Sequence, residues 1–134
     1  MPKSITPTEH EIQRVIIDLI RARGGVVTRV NSGSAVFKRD GVTQVIRGAE
    51  KGTSDLIGCY HGVYLAIEVK RLGAKPARAD QIAFLESVAE ADGVGLVAYD
   101  SETVNELLNR IDVYEDKFYL FVNIEKPNQI FVKG

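Results

Sequence analysis

Between Gly52 and Lys70 the chain reads Gly-Thr-Ser-Asp-Leu-Ile-Gly-Cys-Tyr-His-Gly-Val-Tyr-Leu-Ala-Ile-Glu-Val-Lys, and no other stretch limits the fold as tightly. Two apolar runs rich in β-branched residues, Leu56 to Tyr60 and Val63 to Val69, flank His61-Gly62, which predicts an antiparallel hairpin with Asp55 opening its first strand. Side chains alternate along a strand, so Glu68 and Lys70 project to one face while Leu65, Ile67 and Val69 serve the other. A carboxylate or ammonium among apolar neighbours costs several kcal/mol unless it is paired or bound to metal. Asp55, across the hairpin, supplies a partner acid. Two carboxylates at one strand end make a hard, oxygen-rich site suited to Mg²⁺ or Mn²⁺, which take few carboxylates plus waters and substrate phosphate oxygens. Lys70 then stands beside the metal. For an arbitrary Glu-x-Lys a solvated pair on a half-exposed strand is the simpler reading. Here the acid at the start of the preceding strand, the glycines Gly52 and Gly58, and the apolar run before Glu68 favour a site.

Around this hairpin the pattern alternates between helix and strand. A first helix is predicted from Thr6-Pro7, a cap followed by proline, through Ile12, Val15, Ile16, Leu19 and Ile20 to Gly24-Gly25. Strands follow at Val26 to Asn31, Ala35 to Lys38 and Val42 to Ile46, with Arg39-Asp-Gly41 turning between the last two. The polar, glycine-bearing segment from Ile46 to Thr53 reads as a mobile loop that delivers Asp55 to the sheet. Pro76 opens a second helix, roughly Ala77 to Ala91, with Ile82, Leu85, Val88 and Ala89 on its buried face and Asp92-Gly93 as its stop. With the strand Val94 to Tyr99 this forms a βαβ unit, hence parallel pairing. Asp100-Ser101 caps a third helix carrying Val104, Leu107, Leu108 and Ile111. Lys117 to Ile124 and Gln129 to Lys133 alternate around Glu125-Lys-Pro-Asn128, a hairpin that covers a sheet edge or mediates dimerisation. The whole is one α/β domain with a mixed sheet, residues 1–134, its core about 6–112 and its extension about 114–134.

At 134 residues and 45% hydrophobic content the chain can bury one sizeable core. No apolar run approaches the ~20 residues of a membrane span, and Met-Pro-Lys-Ser lacks a signal peptide's apolar stretch, so the expectation is a cytoplasmic protein with no membrane partner. Cys59 is alone, which excludes an internal disulfide and a cysteine-based zinc cluster; on an apolar strand it reads as core. The net charge of −1 conceals a division. Residues 1–83 carry 13 Lys and Arg against 8 acids, and residues 84–134 carry 4 against 10. The candidate site lies in the basic part. Arg29, Lys38, Arg39, Arg47, Lys51, Arg71, Lys75 and Arg78, with Arg21 and Arg23, are candidates for a phosphate-tracking rim whose affinity falls as salt rises, ordinary solvated surface being the alternative for any one of them. His10 and His61 are assigned to surface, Ser32 and Ser34 lack a His-Asp partner, and the lysine-serine ending of a phosphate loop is missing after Gly52. No small-molecule cofactor is expected.

The constellation resembles the PD-(D/E)XK nuclease superfamily, with Ser54-Asp55 in place of Pro-Asp and Glu68-Val69-Lys70 as the (D/E)-x-K. More narrowly, the chain looks like a stand-alone VRR-NUC domain of the kind found in phage and bacterial genomes. The likeness runs from Thr8-Glu-His-Glu-Ile-Gln13 through Asn31-Ser-Gly33, Gly52 to Gly58 and Ile67 to Lys70 to Gln81, about the first hundred residues. The Ser54 departure leaves the carboxylate in place, and proline would only stiffen the approach to it.

The resemblance implies a restriction-endonuclease-like core, a mixed central sheet flanked by helices, to which this chain adds its C-terminal β-hairpin. It implies divalent-metal-dependent hydrolysis of DNA phosphodiesters in a bacterial or phage-infected cell, with Asp55, Glu68 and the Val69 carbonyl as metal ligands and Lys70 as catalytic lysine. It gives Glu9 the part of an extra acid and Gln81 that of a residue orienting the lysine or the attacking water. Thr6-Pro-Thr-Glu9 is equally a capping box, and Glu11 competes through a second box from Thr8. By the same resemblance to Holliday-junction resolvases, the partners are branched or duplex DNA and a second copy in a homodimer. Two other classes are compatible with the sequence: a nucleic-acid-binding module without turnover, and an interaction protein using the acidic second half.

Overall fold

The computed structural model describes residues 6–31, 34–113 and 124–133. Helix α1, Glu9–Ala22, starts two residues later than the Thr6-Pro7 signal suggests. Thr8 takes the cap instead, in an extended conformation, and its Oγ1 accepts from the Glu11 N–H at 3.1 Å, so the second of the two competing boxes decides the helix start. Ile12, Ile16, Ile17 and Ile20 are buried along one side, while Val15 is left in solvent. Gly24, at φ +88°, ends the helix, and the Gly25 N–H bonds back to the Ile20 carbonyl at 2.9 Å.

Strand β1, Val26–Arg29, is an edge of a five-stranded sheet. Next come β2, Ser34–Arg39, and β3, Val42–Arg47, which form a separate two-stranded ribbon turning at Asp40 and Gly41, both at positive φ. Val36, Val42 and Val45 are exposed on it. Returning to the main sheet, β4, Leu56–Tyr60, and β5, Val63–Val69, make the expected hairpin through His61-Gly62, again with both residues at positive φ as a two-residue primed turn demands. Helix α2, Ala79–Glu90, then crosses to β6, Val94–Ala98, which pairs parallel to β5. After α3, Ser101–Val113, whose start is capped by the Asp100 carboxylate accepting from the Thr103 N–H at 2.7 Å, the described chain resumes before β7, Gln129–Phe131. The sheet order is β1-β4-β5-β6-β7. It is mixed, with helices on both faces.

Alternation sorts the two faces. Leu56, Leu65, Ile67, Val69, Leu96 and Ala98 pack against the isoleucines of α1 and against Val104, Leu107 and Leu108 of α3, each such side chain contributing roughly 1.5–3 kcal/mol of burial. Ala66 and Val97 point the other way, onto Leu85 and Val88 of α2. Helix α2 is shorter than the predicted Ala77 to Ala91, because Arg78 is its extended N-cap and Pro76 lies before it. It stops where expected, with Asp92 at φ +71° and the Gly93 N–H bonded to the Val88 carbonyl.

Cys59 is a correction: it is exposed rather than core. Helix α2 lies over β5, β6 and β7 and leaves that face of β4 bare, so Cys59 and its cross-strand partner Tyr64 both meet solvent. Of the C-terminal hairpin, the expected strand Lys117 to Ile124 falls, apart from Ile124, outside the described residues. The other strand is β7, which pairs antiparallel with β6 and covers its edge. No helix among the described residues is long and apolar enough to cross a membrane.

Gly58 shows how closely the strands approach. A Cβ there would lie 2.2 Å from the Val26 carbonyl oxygen and 3.1 Å from the Val27 Cα, atoms of the paired strand that cannot swing aside. Gly58→Ala is expected to cost about 1–3 kcal/mol through forced separation of β1 from β4. A thermal melt checks it; an unchanged Tm would show that β1 yields freely.

Candidate active site

The hairpin register aligns the two acids. Leu56 pairs with Ile67, so Asp55, one residue before, and Glu68, one residue after, come opposite each other at the sheet end. Asp55 is held from both sides. Its carbonyl accepts from the Val30 N–H at 2.8 Å, and its Oδ2 accepts from the Val69 N–H at 2.8 Å, so β1 and β5 both fix its position. Val69 thereby contributes its N–H to the site, while its side chain is fully buried in the core.

The loop leading to Asp55 is more tightly pinned than its composition suggests. Ala49 donates to the Asn31 carbonyl, and Thr53 closes onto the Glu50 carbonyl through both its N–H and its hydroxyl. Gly52, at φ +96°, is buried against the first turn of α2, where a Cβ would come within 2.8 Å of the Asp80 carbonyl oxygen. Only glycine meets both conditions. Ser54, standing where the resemblance expects proline, is buried and donates its hydroxyl to the Leu56 carbonyl at 2.9 Å. That bond stiffens the approach to Asp55 in the proline's stead.

Glu68 is only 2% exposed. Its Oε1 accepts from Gln81 Nε2 at 2.9 Å, and its Oε2 is buried with no hydrogen-bond partner among the described residues. Burial, and after it the neighbouring Asp55 carboxylate, push its carboxyl up from 4.5 to about 8, against the opposing pull of the Lys70 ammonium. Near neutral pH these effects favour the protonated form of the Glu68 carboxyl. Lys70 is half-buried just beyond the end of β5, its N–H bonded to the Ala98 carbonyl of β6.

Gln81 is buried, not the surface residue an isolated glutamine would be. Its Oε1 accepts from the Arg78 N–H at 2.8 Å, closing the helix start, and this fixes the amide so that Nε2 faces Glu68. Here the capping bond and the site bond belong to one side chain. Asp80 contributes too: its Oδ1 accepts from Arg78 Nε and from the Gln81 N–H, each at 3.1 Å, which holds its carboxyl below the usual range. Nothing in the sequence marked Asp80 as part of this wall beyond its place in the first helical turn.

The structure does not gather Glu9 with these acids. Among the described residues no group of three or more His, Cys, Asp and Glu is placed to hold a metal, so Asp55 and Glu68 stand as a pair. Glu9 opens α1, and Glu11 is exposed and only its N–H serves the cap. Of the basic candidates, Arg71 and Lys75 are exposed on the segment leaving the site, and Lys51 and Arg78 flank Asp80, Arg78 being ion-paired with it. Arg29 is exposed at the site end of β1. Lys38 and Arg39 are exposed near the tip of the ribbon, and the Arg47 side chain lies outside what is described. Arg23 is committed elsewhere. It binds Asn105 and Asp112 at the far end of the sheet, where Asp112 also accepts from the Tyr60 hydroxyl at 2.8 Å and lies 3.0 Å from Nδ1 of the exposed His61.

No family model and no curated protein matches the sequence. Among solved structures, one described as a VRR_NUC domain superposes with a TM-score of 0.51 at 21% identity, the match covering 81% of this chain and 99% of that one. The likeness is one of fold: this chain has a VRR_NUC-like, restriction-endonuclease-like α/β architecture.

Proposed function

We propose that this chain is a divalent-metal-dependent nuclease that hydrolyses DNA phosphodiester bonds. The observation that carries the reading is the buried Glu68 set against Asp55, with one carboxylate oxygen lacking a hydrogen-bond partner among the described residues, at a sheet end that also presents Lys70. The residues fit a hard cation. Two carboxylates with an unsatisfied oxygen suit Mg²⁺ or Mn²⁺, which Asp55 and Glu68, with the Val69 carbonyl, would hold. When bound, the ion lowers the pKa of water and neutralises charge on the leaving oxygen.

The chain's own groups do the rest. Asp55 is oriented by the Val69 N–H and Glu68 by the Gln81 amide, so both carboxylates are set before substrate arrives. Lys70 orients the attacking water and stabilises negative charge that grows on the phosphate oxygens. Gln81 acts as a positioning residue.

The finer reading is a structure-selective enzyme of a bacterial or phage-infected cytoplasm that cuts branched DNA, such as Holliday junctions or flaps, as a homodimer presenting two sites to two strands. It rests on the resemblance of related single-domain chains to junction resolvases. The test is cleavage of labelled single strand, duplex, flap and four-way junction in Mg²⁺ or Mn²⁺. Lys70→Ala is expected to lose about 10²–10³-fold in rate, the scale of one transition-state donor. Equal cutting by Lys70→Ala would remove the lysine from the chemistry, and no metal-dependent cutting of any substrate would end the nuclease reading. Sedimentation that shows only monomer at micromolar concentration would remove the dimer.

A further inference from the structure

A groove of about 410 Å³ lies between α1 and β1, on the face of the sheet opposite α2, and is lined by His10, Arg14, Asp18, Arg21, Thr28 and Arg29. His10, Arg14, Asp18 and Arg21 follow each other at intervals of four, four and three, so they form one stripe along the helix. The chain reverses at Gly24-Gly25, so β1 runs back along α1. Arg21 marks the far end of the groove, where its Nη2 donates to the Val27 carbonyl at 3.1 Å. His10 and Arg29 mark the near end, and Arg29 pairs with Leu56, the residue after Asp55.

Of the groove's three arginines only Arg21 has a hydrogen bond within the described residues, to the Val27 carbonyl. Among the described residues the guanidinium groups of Arg14 and Arg29 make no hydrogen bond or ion pair, although Asp18 stands one turn from Arg14. Three arginines against one carboxylate leave the groove positive. The stripe from His10 to Arg21 spans about 16 Å of helix axis, too long for a single phosphate and matched to a polymer carrying one at every ~3.4 Å of rise.

We infer that the α1–β1 groove is a second nucleic-acid contact, in which the phosphate backbone of a strand passing Asp55 continues along Arg29, Arg14 and Arg21. This rests on the nuclease reading for its substrate, but it concerns a surface that takes no part in the chemistry. Its ligand class is a phosphodiester chain of several residues, held without base recognition.

The experiment is equilibrium binding of a fluorescent 30-residue duplex and single strand to the full chain in EDTA, where no cleavage occurs, across a salt series. Each cation–phosphate contact contributes a slope of about −0.9 in log affinity against log salt. Arg14→Glu and Arg14→Gln are expected to bind about tenfold more weakly at 0.1 M salt and to lose about one in slope, with Arg14→Lys restoring both. Circular dichroism verifies the fold; the neutral variant decides should the reversed charge disturb α1. Wild-type affinity and slope in Arg14→Gln overturn the inference, as does an absence of salt-dependent DNA affinity in the wild type. Parallel cleavage assays separate the two ideas. Metal-dependent cutting with unchanged binding by Arg14→Gln retains the nuclease and removes the groove. Binding that depends on Arg14 without any cutting does the reverse.

Discussion

Asp55→Asn and Glu68→Gln are each expected to lose metal-dependent strand cleavage by about three orders of magnitude or more, the several kcal/mol that metal-assisted hydrolysis supplies at ~1.4 kcal/mol per factor of ten. The substitutions are nearly isosteric, so the loss can be separated from misfolding. In Asp55→Asn the side-chain oxygen can still accept from the Val69 N–H, which keeps β5 and the site loop in register. Single-turnover rates on the best substrate of the panel, with circular dichroism alongside, provide the measurement. Wild-type rates in either variant would sink the two-carboxylate mechanism. A loss in Asp55→Asn alone would reduce Glu68 to a structural acid.

Glu68→Gln is expected to have an opposite effect on stability, and pH reveals it. The carboxyl is held at about 8 in the native chain against 4.5 outside it, so between those values the native state binds more protons than the unfolded state. Stability then falls as pH rises across that window and levels off above it. The span corresponds to several kcal/mol. Glutamine carries no charge, so the variant should lack this slope: little different from wild type near pH 4, more stable near pH 8. Denaturant unfolding at the two pH values in EDTA reads the difference. If the proposed metal site is real, adding Mg²⁺ or Mn²⁺ at pH 8 should restore the wild type, because a cation would take the place of the lost proton, and should leave Glu68→Gln unmoved. A wild-type stability that does not decline from pH 4.5 to 8 would mean that Glu68 is solvated in solution.

Much of this site was legible because strand periodicity and hairpin geometry are short-range. His61-Gly62 fixed the turn, the turn fixed the pairing of Leu56 with Ile67, and that pairing set Asp55 opposite Glu68. What escaped depended on contacts distant in sequence. Gln81 reads as surface on its own helix and owed its place in the site to the resemblance; the packing of α2 over β5 is what carries it to Glu68, thirteen residues away. Cys59 reads as core because its neighbours are apolar, and only the limited reach of α2 leaves it exposed. Helix starts were displaced for a local reason: Thr6 and Thr8 both offer caps, and hydroxyl geometry, invisible in the sequence, chose Thr8. Glu9 had its role from the resemblance and from its helical phase with Ile12 and Ile16, and among the described residues it joins no metal-holding group with the two acids.

Asn31, before the β2–β3 ribbon, and Ala49, after it, are joined by a hydrogen bond in which the Ala49 N–H donates to the Asn31 carbonyl at 2.8 Å. The ribbon's departure and return thus coincide. Changes in length between them are therefore expected to leave the strand paths of the main sheet unaltered, because the loop is closed at its base. The ribbon is in this sense a detachable accessory whose base adjoins the segment leading to Asp55. A shorter or grafted segment between Asn31 and Ala49 offers a route to altering what the domain grips while keeping its catalytic frame.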